Sequence, residues 1–168
     1  MNPLQKTRTL LIAITLGSTI IWFINFMTKS PIFPEQWVVI EVTDTQTMIV
    51  RQSNGNQMQV RLCGIDKPEQ ALSKQATEKL QSLIATNDRQ VTVIPVAKDS
   101  QERTVAEVMA YGKDGVEISF QEEFLKSGLV KTRQSGVECP NQIAFENAQR
   151  LAITARVGVW RQNKQNLR

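Results

Sequence analysis

The stretch "VRLCGIDKPEQ" at residues 60–70 places an arginine, an aspartate and a glutamate around a turn that follows an apolar run. The glycine and the proline in this stretch are residues that stop strand pairing and change the direction of the chain. Ending a strand does not require charges. Arg61, Asp66 and Glu69 therefore need a separate explanation, and they mark the turn as a candidate functional site.

Strand-like runs precede this turn. The segments "WVVIEVT" (37–43), "TMIVRQ" (47–52) and "QMQVRLC" (57–63) are rich in β-forming residues, and the third alternates strictly between apolar and polar positions. The residues "SNGN" between the second and third segments are a strong hairpin signal. The pattern predicts three consecutive antiparallel strands.

A helix and two further strands are predicted after the turn. The segment "EQALSKQATEKLQSLIAT" (69–86) has apolar residues at 72, 76, 80, 83 and 84, which is helical spacing. The segments "QVTVIPVA" (90–97) and "RTVAEVMAY" (103–111) return to strand character, and "AKDSQE" predicts a turn between them.

The C-terminal third of the chain predicts two more helices. In "SFQEEFLKSG", Ser119 and Glu122 have the spacing of a capping box, and Gly128 lies where a helix would stop. In "CPNQIAFENAQRLAITARVGVW" the predicted helix ends at Gly158. Its predicted apolar stripe consists of Ile143, Ala144, Ala148, Leu151, Ala152 and Ala155. Together the elements predict an α+β fold, a small closed barrel of five strands with three helices at one side.

The composition excludes several kinds of chemistry. The 168 residues include no histidine, which removes imidazole bases and most zinc sites, and 41% are hydrophobic, which suits one compact domain. The formal charge is +4, but Lys6, Arg8 and Lys29 supply three of the positive charges, and the first 30 residues contain no acid. The remaining chain is nearly neutral, so a site for a polyanion would have to be local.

The N-terminal region contains 20 consecutive uncharged residues, "TLLIAITLGSTIIWFINFMT" (9–28). A helix of that length, at about 1.5 Å per residue, spans the roughly 30 Å hydrocarbon core of a bilayer. We expect an uncleaved transmembrane anchor, with a cleaved signal peptide as the alternative. Lys6 and Arg8 favour a cytoplasmic N-terminus, so the folded domain is expected on the periplasmic or extracellular side of the membrane. If the segment is cleaved, the domain is expected to be secreted.

The expected organisation has five parts. They are a cytoplasmic tail (1–8), the anchor (9–28), a linker (29–36), the folded domain (37–161) and a polar tail (162–168). The only cysteines are Cys63 and Cys139, and in an external compartment they would form a disulfide. Two buried thiols are the alternative.

Five segments of the chain resemble the staphylococcal nuclease (thermonuclease) family. The most specific is "RLCGIDKPE", which is similar to the family pattern R-L-x-x-(I/V)-D-x-P-E, and the others are "VIEVTDTQTMIV", "DSQERTVAEV", "SFQEEFLKSGLVK" and "ARVGVW". The resemblance covers residues 37–161. It implies an OB-fold barrel with three helices and the calcium-dependent hydrolysis of phosphodiester bonds in DNA, RNA or both, by a protein expected to be a monomer.

The resemblance also implies roles for particular residues. Arg61 and Arg103 match the family's two catalytic arginines, Asp66 its calcium-binding aspartate, and Glu69 its general base or water-orienting carboxylate. Lys67 would offer its backbone carbonyl to the metal. These residue types suit the chemistry, because the attack of water on a phosphodiester creates a dianionic five-coordinate species. The guanidinium groups of two arginines can stabilise its negative charge.

The chain departs from the family pattern at several positions. The residues "DTQT" stand where the family has D-G-D-T, so Gln46 replaces a second metal-binding aspartate. Gln101 stands in place of a nucleotide-contacting tyrosine and Glu102 in place of a glycine, and Glu102 could pair with Arg103. The segment 129–140 lacks the tyrosines that pack on the bound nucleotide in some family members. Base stacking is therefore not expected to supply much affinity.

Each of these residues also has a purely structural interpretation. Arg61 and Arg103 could form surface ion pairs, Asp66 could cap the following helix, and Glu69 could interact favourably with the helix dipole. Gln46 could be an exposed hairpin residue. A nuclease-fold module that binds nucleic acid or protein without cleavage is therefore the alternative to an enzyme.

Overall fold

The computed structural model describes residues 36–112, 115–134 and 136–161. The expected anchor at 9–28, nearly all of the linker and the polar tail lie outside these ranges. Within the described ranges, no helix has both the length and the apolar character needed to cross a membrane.

Five strands form a closed barrel. Neighbouring strands pair in an antiparallel manner, β1 with β2 and β4, β2 with β3, and β4 with β5, whereas β3 and β5 pair in parallel and close the barrel. The strands are β1 (Gln36–Val42), β2 (Thr47–Arg51), β3 (Gln57–Leu62), β4 (Gln90–Lys98) and β5 (Thr104–Tyr111). The predicted barrel is thus confirmed, and a short sixth strand, β6 (Glu117–Ser119), extends it at β5.

The predicted alternation in β3 positions the barrel core and the first candidate side chain. Val60 and Leu62 are buried inside the barrel, so Arg61 must point to the opposite face of the sheet. In the parallel pairing, Arg61 lies opposite Val105 of β5. Arg103, which directly precedes β5, is thereby brought close to Arg61 although 42 positions separate them in the sequence.

Helix α1 (Ser73–Thr86) packs its predicted apolar face on the barrel. Ala76, Leu80, Leu83 and Ile84 are buried. A 3-10 turn, Gln70–Leu72, connects the charged turn to this helix, and no side chain caps its N-terminus. The interpretation of Asp66 as a cap of this helix is therefore wrong.

Helix α2 (Phe120–Lys126) has the predicted ends. The Glu122 N–H donates to the Ser119 hydroxyl at 3.4 Å, and Gly128 follows the helix with a φ of 66°. Gly128 is also required for packing, because a Cβ there would overlap the backbone at Val157. The Val159 N–H donates to the Gly128 carbonyl at 2.9 Å, which fastens the C-terminal segment to the end of α2.

Helix α3 (Gln142–Ala155) buries only part of the predicted face, namely Ala148 and Ala152, together with Phe145, which was not predicted. It ends at Ala155 rather than at Gly158, and Ile143, Leu151 and Ala155 are exposed. Phe145 is fully buried and lies against Gly64, which has room for it only because glycine has no Cβ. The large aromatic ring decides the orientation of this alanine-rich helix, since burying it removes more apolar area from water than burying several alanines.

Candidate active site

A pocket of about 280 Å³ lies at one end of the barrel. It is formed by the β1–β2 loop, the end of β3, the turn between β4 and β5, and a segment that follows α2. Four of the predicted site residues, Gln46, Arg61, Lys67 and Arg103, line it together. The other lining residues are Asp44, Thr47, Asp99, Ser100 and Arg133.

Arg61, Asp99 and Arg103 form one wall of the pocket, which we call the arginine wall. One oxygen of Asp99, Oδ2, accepts from the Arg61 Nε at 3.1 Å and from the Arg103 Nε at 2.8 Å, and lies 2.8 Å from the Arg103 Nη2. The Asp99 side chain is only 13% exposed. Among the described residues, the remaining N–H groups of Arg61 have no partner, so this guanidinium keeps donors for an anionic ligand.

The turn between β4 and β5 fixes the position of Asp99. Its second oxygen, Oδ1, accepts from the backbone N–H groups of Gln101 and Arg103 at 2.9 and 3.1 Å. The hydrogen bond from the Arg103 side chain, helped by these two N–H groups, lowers the pKa of Asp99 from 3.8 to about 2. The carboxylate is therefore charged at neutral pH and holds both guanidinium groups in place.

Glu102 does not pair with Arg103, contrary to the interpretation that it could. Its side chain is exposed, and its backbone adopts a left-handed conformation with a φ of 59°. The carboxylate that pairs with Arg103 is that of Asp99. A glycine would adopt this conformation without strain, which accounts physically for a glycine at this position in the family pattern.

The charged turn after β3 is held against the segment that follows α2. Ile65 and Thr132 form a β-bridge, the Asp66 N–H donates to the Lys131 carbonyl at 2.9 Å, and the Arg133 N–H donates to the Gly64 carbonyl at 2.9 Å. This backbone pairing places two basic side chains beside the two acids of the turn.

The side chains across this pairing form a group beside the pocket, which we call the acidic wall, and Arg133 is its one member among the residues that line the pocket. Arg133 Nε donates to Asp66 Oδ1 at 3.2 Å, and Lys131 Nζ donates to Glu69 Oε1 at 3.4 Å. The side chains of Asp66 and Glu69 are 50% and 59% exposed. Neither Asp66 nor Glu69 is among the residues that line the pocket, and Asp66 is connected to it through its ion pair with Arg133.

Gln46 is a buried residue that connects two loops. Its side chain is 1% exposed, and its amide nitrogen donates to the backbone carbonyls of Asp66 at 2.6 Å and Ile65 at 3.2 Å. The interpretation of Gln46 as an exposed hairpin residue is therefore wrong. The two carbonyl oxygens require a donor, so the amide nitrogen, and not the amide oxygen, must face the turn.

These donors do not fit a calcium ion. Calcium takes six to eight oxygen ligands, several of them carboxylates. Here the Asp66 carboxylate is paired with Arg133, the Asp44 Oδ1 accepts from the Gln46 N–H at 2.7 Å, and Gln46 directs a nitrogen toward the turn. Within the described ranges, no three acidic, histidine or cysteine residues are grouped so as to hold a metal.

Cys63 and Cys139 form a disulfide with a Cα–Cα distance of 6.2 Å. Cys63 immediately precedes the charged turn, and Cys139 follows the segment that carries Lys131 and Arg133. The bond therefore ties together the two pieces of chain that build the acidic wall.

Aromatic side chains are not among the residues that line the pocket. Tyr111 lies at the C-terminal end of β5, where its hydroxyl donates to Glu117 at 3.5 Å, and it lines a different pocket. Gln101, which replaces a tyrosine of the family pattern, is exposed. The lining residues therefore offer charged and polar groups but no stacking surface for a base.

Three site residues were not predicted from the sequence. Asp99 stands four residues before Arg103, a spacing that could have indicated their ion pair. Its contact with Arg61 depends on the barrel closure between β3 and β5. Lys131 and Arg133 carry no local signal, because their contacts depend on the pairing of two distant loops.

The fold and the site define a class of protein, an OB-fold barrel with three helices and a cationic pocket at one end. Within this class, the family model described as "Staphylococcal nuclease homologue" matches residues 59–162, which is more than half of the chain. The protein belongs to that family, so it is a nuclease-fold protein. No curated protein matches the chain significantly.

Proposed function

We propose that the protein is a nuclease that hydrolyses phosphodiester bonds of DNA, RNA or both with little sequence preference. The observation that supports this most directly is the convergence of Arg61 and Arg103 on Asp99 at the wall of one pocket. Two planar, permanently charged groups held side by side match the oxygens of a phosphate.

The two arginines stabilise the transition state. Water attacks the phosphorus, one P–O ester bond breaks, and the negative charge on the phosphoryl oxygens rises as the five-coordinate species forms. Because Asp99 already holds both guanidinium groups, they need little reorganisation when this charge develops.

Glu69 is the proposed general base. It accepts a proton from the attacking water, and solvent protonates the departing alkoxide. Lys131 donates to Glu69 at 3.4 Å and holds this carboxylate beside the segment that carries Arg133. Calcium stays a prediction from the resemblance, and no step of this mechanism uses it.

Weak sequence preference follows from the lining of the pocket. The described lining residues are charged or polar, and contacts to phosphate carry no base information. The expected monomer stays a prediction.

Cleavage of labelled single-stranded DNA and RNA oligonucleotides by the full-length protein in mild detergent tests the proposal. We expect Arg103→Gln to lower the cleavage rate roughly a hundredfold, as for other transition-state donors. Arg51→Gln is the matched control, because Arg51 is exposed at the end of β2 that is farther from the pocket. Oligonucleotide binding without cleavage, with and without calcium, would instead favour the binding module.

We also propose that the domain lies outside the cytoplasm, anchored by residues 9–28. The Cys63–Cys139 disulfide supports this location, because disulfides persist mainly in oxidising compartments. Protease digestion of spheroplasts, in which the outer face of the cytoplasmic membrane is accessible and the membrane itself is intact, checks the proposal. We expect the domain to be degraded without lysis, whereas protection until lysis would contradict an external location.

A further inference from the structure

The pocket contains an excess of positive charge. Among its lining residues, Arg61, Lys67, Arg103 and Arg133 are basic, whereas Asp44 and Asp99 are acidic. Lys67 is exposed, and its ammonium group has no partner among the described residues. A pocket with this balance attracts an anion and repels a divalent cation.

Arg133 occupies the position beside the carboxylate that was predicted to bind the metal. Its Nε is 3.2 Å from Asp66 Oδ1, and no other side-chain partner of this guanidinium exists within the described ranges. Both Nη atoms therefore remain available to a ligand in the pocket that Arg133 lines. A cation at Asp66 would have to displace a guanidinium that already neutralises the carboxylate.

Gln46 and Thr47 complete this side of the pocket. The Gln46 amide already satisfies the carbonyls of Ile65 and Asp66, so these oxygens need no metal. The Thr47 hydroxyl is buried and has no hydrogen-bond partner among the described residues, although Thr47 lines the pocket. A buried hydroxyl without a protein partner is commonly satisfied by an ordered water.

We infer that the pocket binds a nucleic-acid phosphate without a divalent cation, and that Arg133 supplies the positive charge opposite Arg61 and Arg103. The inference rests on the proposed nuclease function, and it concerns which groups of the pocket bind the phosphate. It assigns to the side chains of Arg133 and Lys67 a role in phosphate binding, whereas the sequence pattern indicated only a backbone role for Lys67 and none for Arg133.

Fluorescence anisotropy of a labelled oligothymidylate with the full-length protein tests the inference directly. We expect the wild-type affinity to be the same in EDTA and in calcium. Arg133→Gln should weaken binding in EDTA roughly tenfold to a hundredfold, the range for hydrogen bonds to charged groups, and Arg133→Lys should weaken it less. Arg51→Gln should leave the affinity unchanged.

The salt dependence separates a phosphate contact from a folding defect. Loss of one phosphate contact lowers the slope of log K against log salt by about 0.7 for a single strand. We expect this change for Arg133→Gln and for Lys67→Gln, but not for Arg51→Gln. If Arg133→Gln does not fold, Lys67→Gln and the wild-type comparison in EDTA and calcium still decide the question.

Two outcomes would overturn the inference. One is that calcium tightens wild-type binding tenfold or more, and the other is that titration calorimetry detects calcium binding to the protein alone. Cleavage measured on the same samples keeps the two proposals distinct. Calcium-dependent binding together with cleavage refutes the inference and leaves the nuclease intact. Cation-independent binding without cleavage supports the inference and contradicts the nuclease.

Discussion

The arginine wall of the pocket and the acidic wall beside it are held by different kinds of interaction. In the arginine wall, Arg61 and Arg103 share one nearly buried carboxylate at 2.8–3.1 Å. In the acidic wall, Asp66 and Glu69 each have a separate basic partner at 3.2–3.4 Å, and about half or more of each acid is exposed.

This difference indicates that the arginine wall is preorganised, whereas the ion pairs of the acidic wall can rearrange. The arginine wall stands on β3 and on the hydrogen-bonded turn between β4 and β5, so its charges are fixed before a ligand arrives, as transition-state stabilisation requires. The acidic wall stands on two loops, and exposed ion pairs contribute little to stability. It can therefore exchange partners when a phosphate enters, at low cost in free energy.

The largest expected effect is on the loops of the acidic wall, which depend on the disulfide. The double variant Cys63→Ala with Cys139→Ala removes a cross-link between residues 76 positions apart. Loss of a loop of this size should lower the free energy of unfolding by about 4 to 5 kcal/mol, because the unfolded chain regains entropy. Urea unfolding measures this change. Wild type in dithiothreitol should match the variant, and a loss below about 1 kcal/mol would contradict the role of the bridge.

The next largest expected effect is a loss of cleavage activity when the arginine wall is disturbed. Asp99→Asn removes the charge that holds both guanidinium groups, and misplacement of such groups should lower kcat/KM on the order of a hundredfold. Asp66→Asn should cause a smaller drop, since its wall is the more adaptable one. Asp88→Asn, an exposed acid outside the pocket, is the control. If Asp99→Asn and Asp66→Asn lowered kcat/KM equally, the arginine wall would not be more strongly preorganised than the acidic wall.

A pH effect of moderate size should also come from Asp99. Its pKa is lowered to about 2 in the folded state, so its charged form stabilises the fold. This stabilisation is present in full above about pH 4, where Asp99 is charged in both the folded and the unfolded state. It is lost as the pH falls through 2, because the Asp99 carboxylate is then protonated in the folded state as well. The difference in unfolding free energy between wild type and Asp99→Asn should shrink over this window in urea titrations. A difference independent of pH between 4 and 2 would show that the charge does not contribute.

The smallest effect is expected for the exposed pair Lys131–Glu69. Lys131→Gln should change the free energy of unfolding by less than about 1 kcal/mol, since both side chains are screened by solvent. Lys74→Gln, which breaks the exposed pair with Glu78, is a matched control and should behave alike. A markedly larger loss for Lys131→Gln would indicate that the acidic wall is stiffer than its exposure implies. Its packing over Trp160, 5.5 Å from the ring centroid, would then be the first contact to examine.

The regular elements could be predicted because their signals are local. Alternation in β3, the helical spacing of α1 and the Ser119 cap of α2 all depend on residues within a few positions of each other. The buried face of α3 could not be predicted in this way. Small alanine side chains define a face weakly, and the contact of Phe145 with Gly64 joins residues far apart in the chain.

The sequence by itself determined the order of strands and helices and supplied the charged residues of the turn after β3, because spacing and residue type act locally. Only the tertiary structure decided which charges meet. The parallel pairing of β3 with β5 brings Arg61 to Asp99, and the bridge between Ile65 and Thr132 brings Arg133 to Asp66. Charge pairs across such distances depend on barrel closure and loop packing, which no short stretch of sequence encodes.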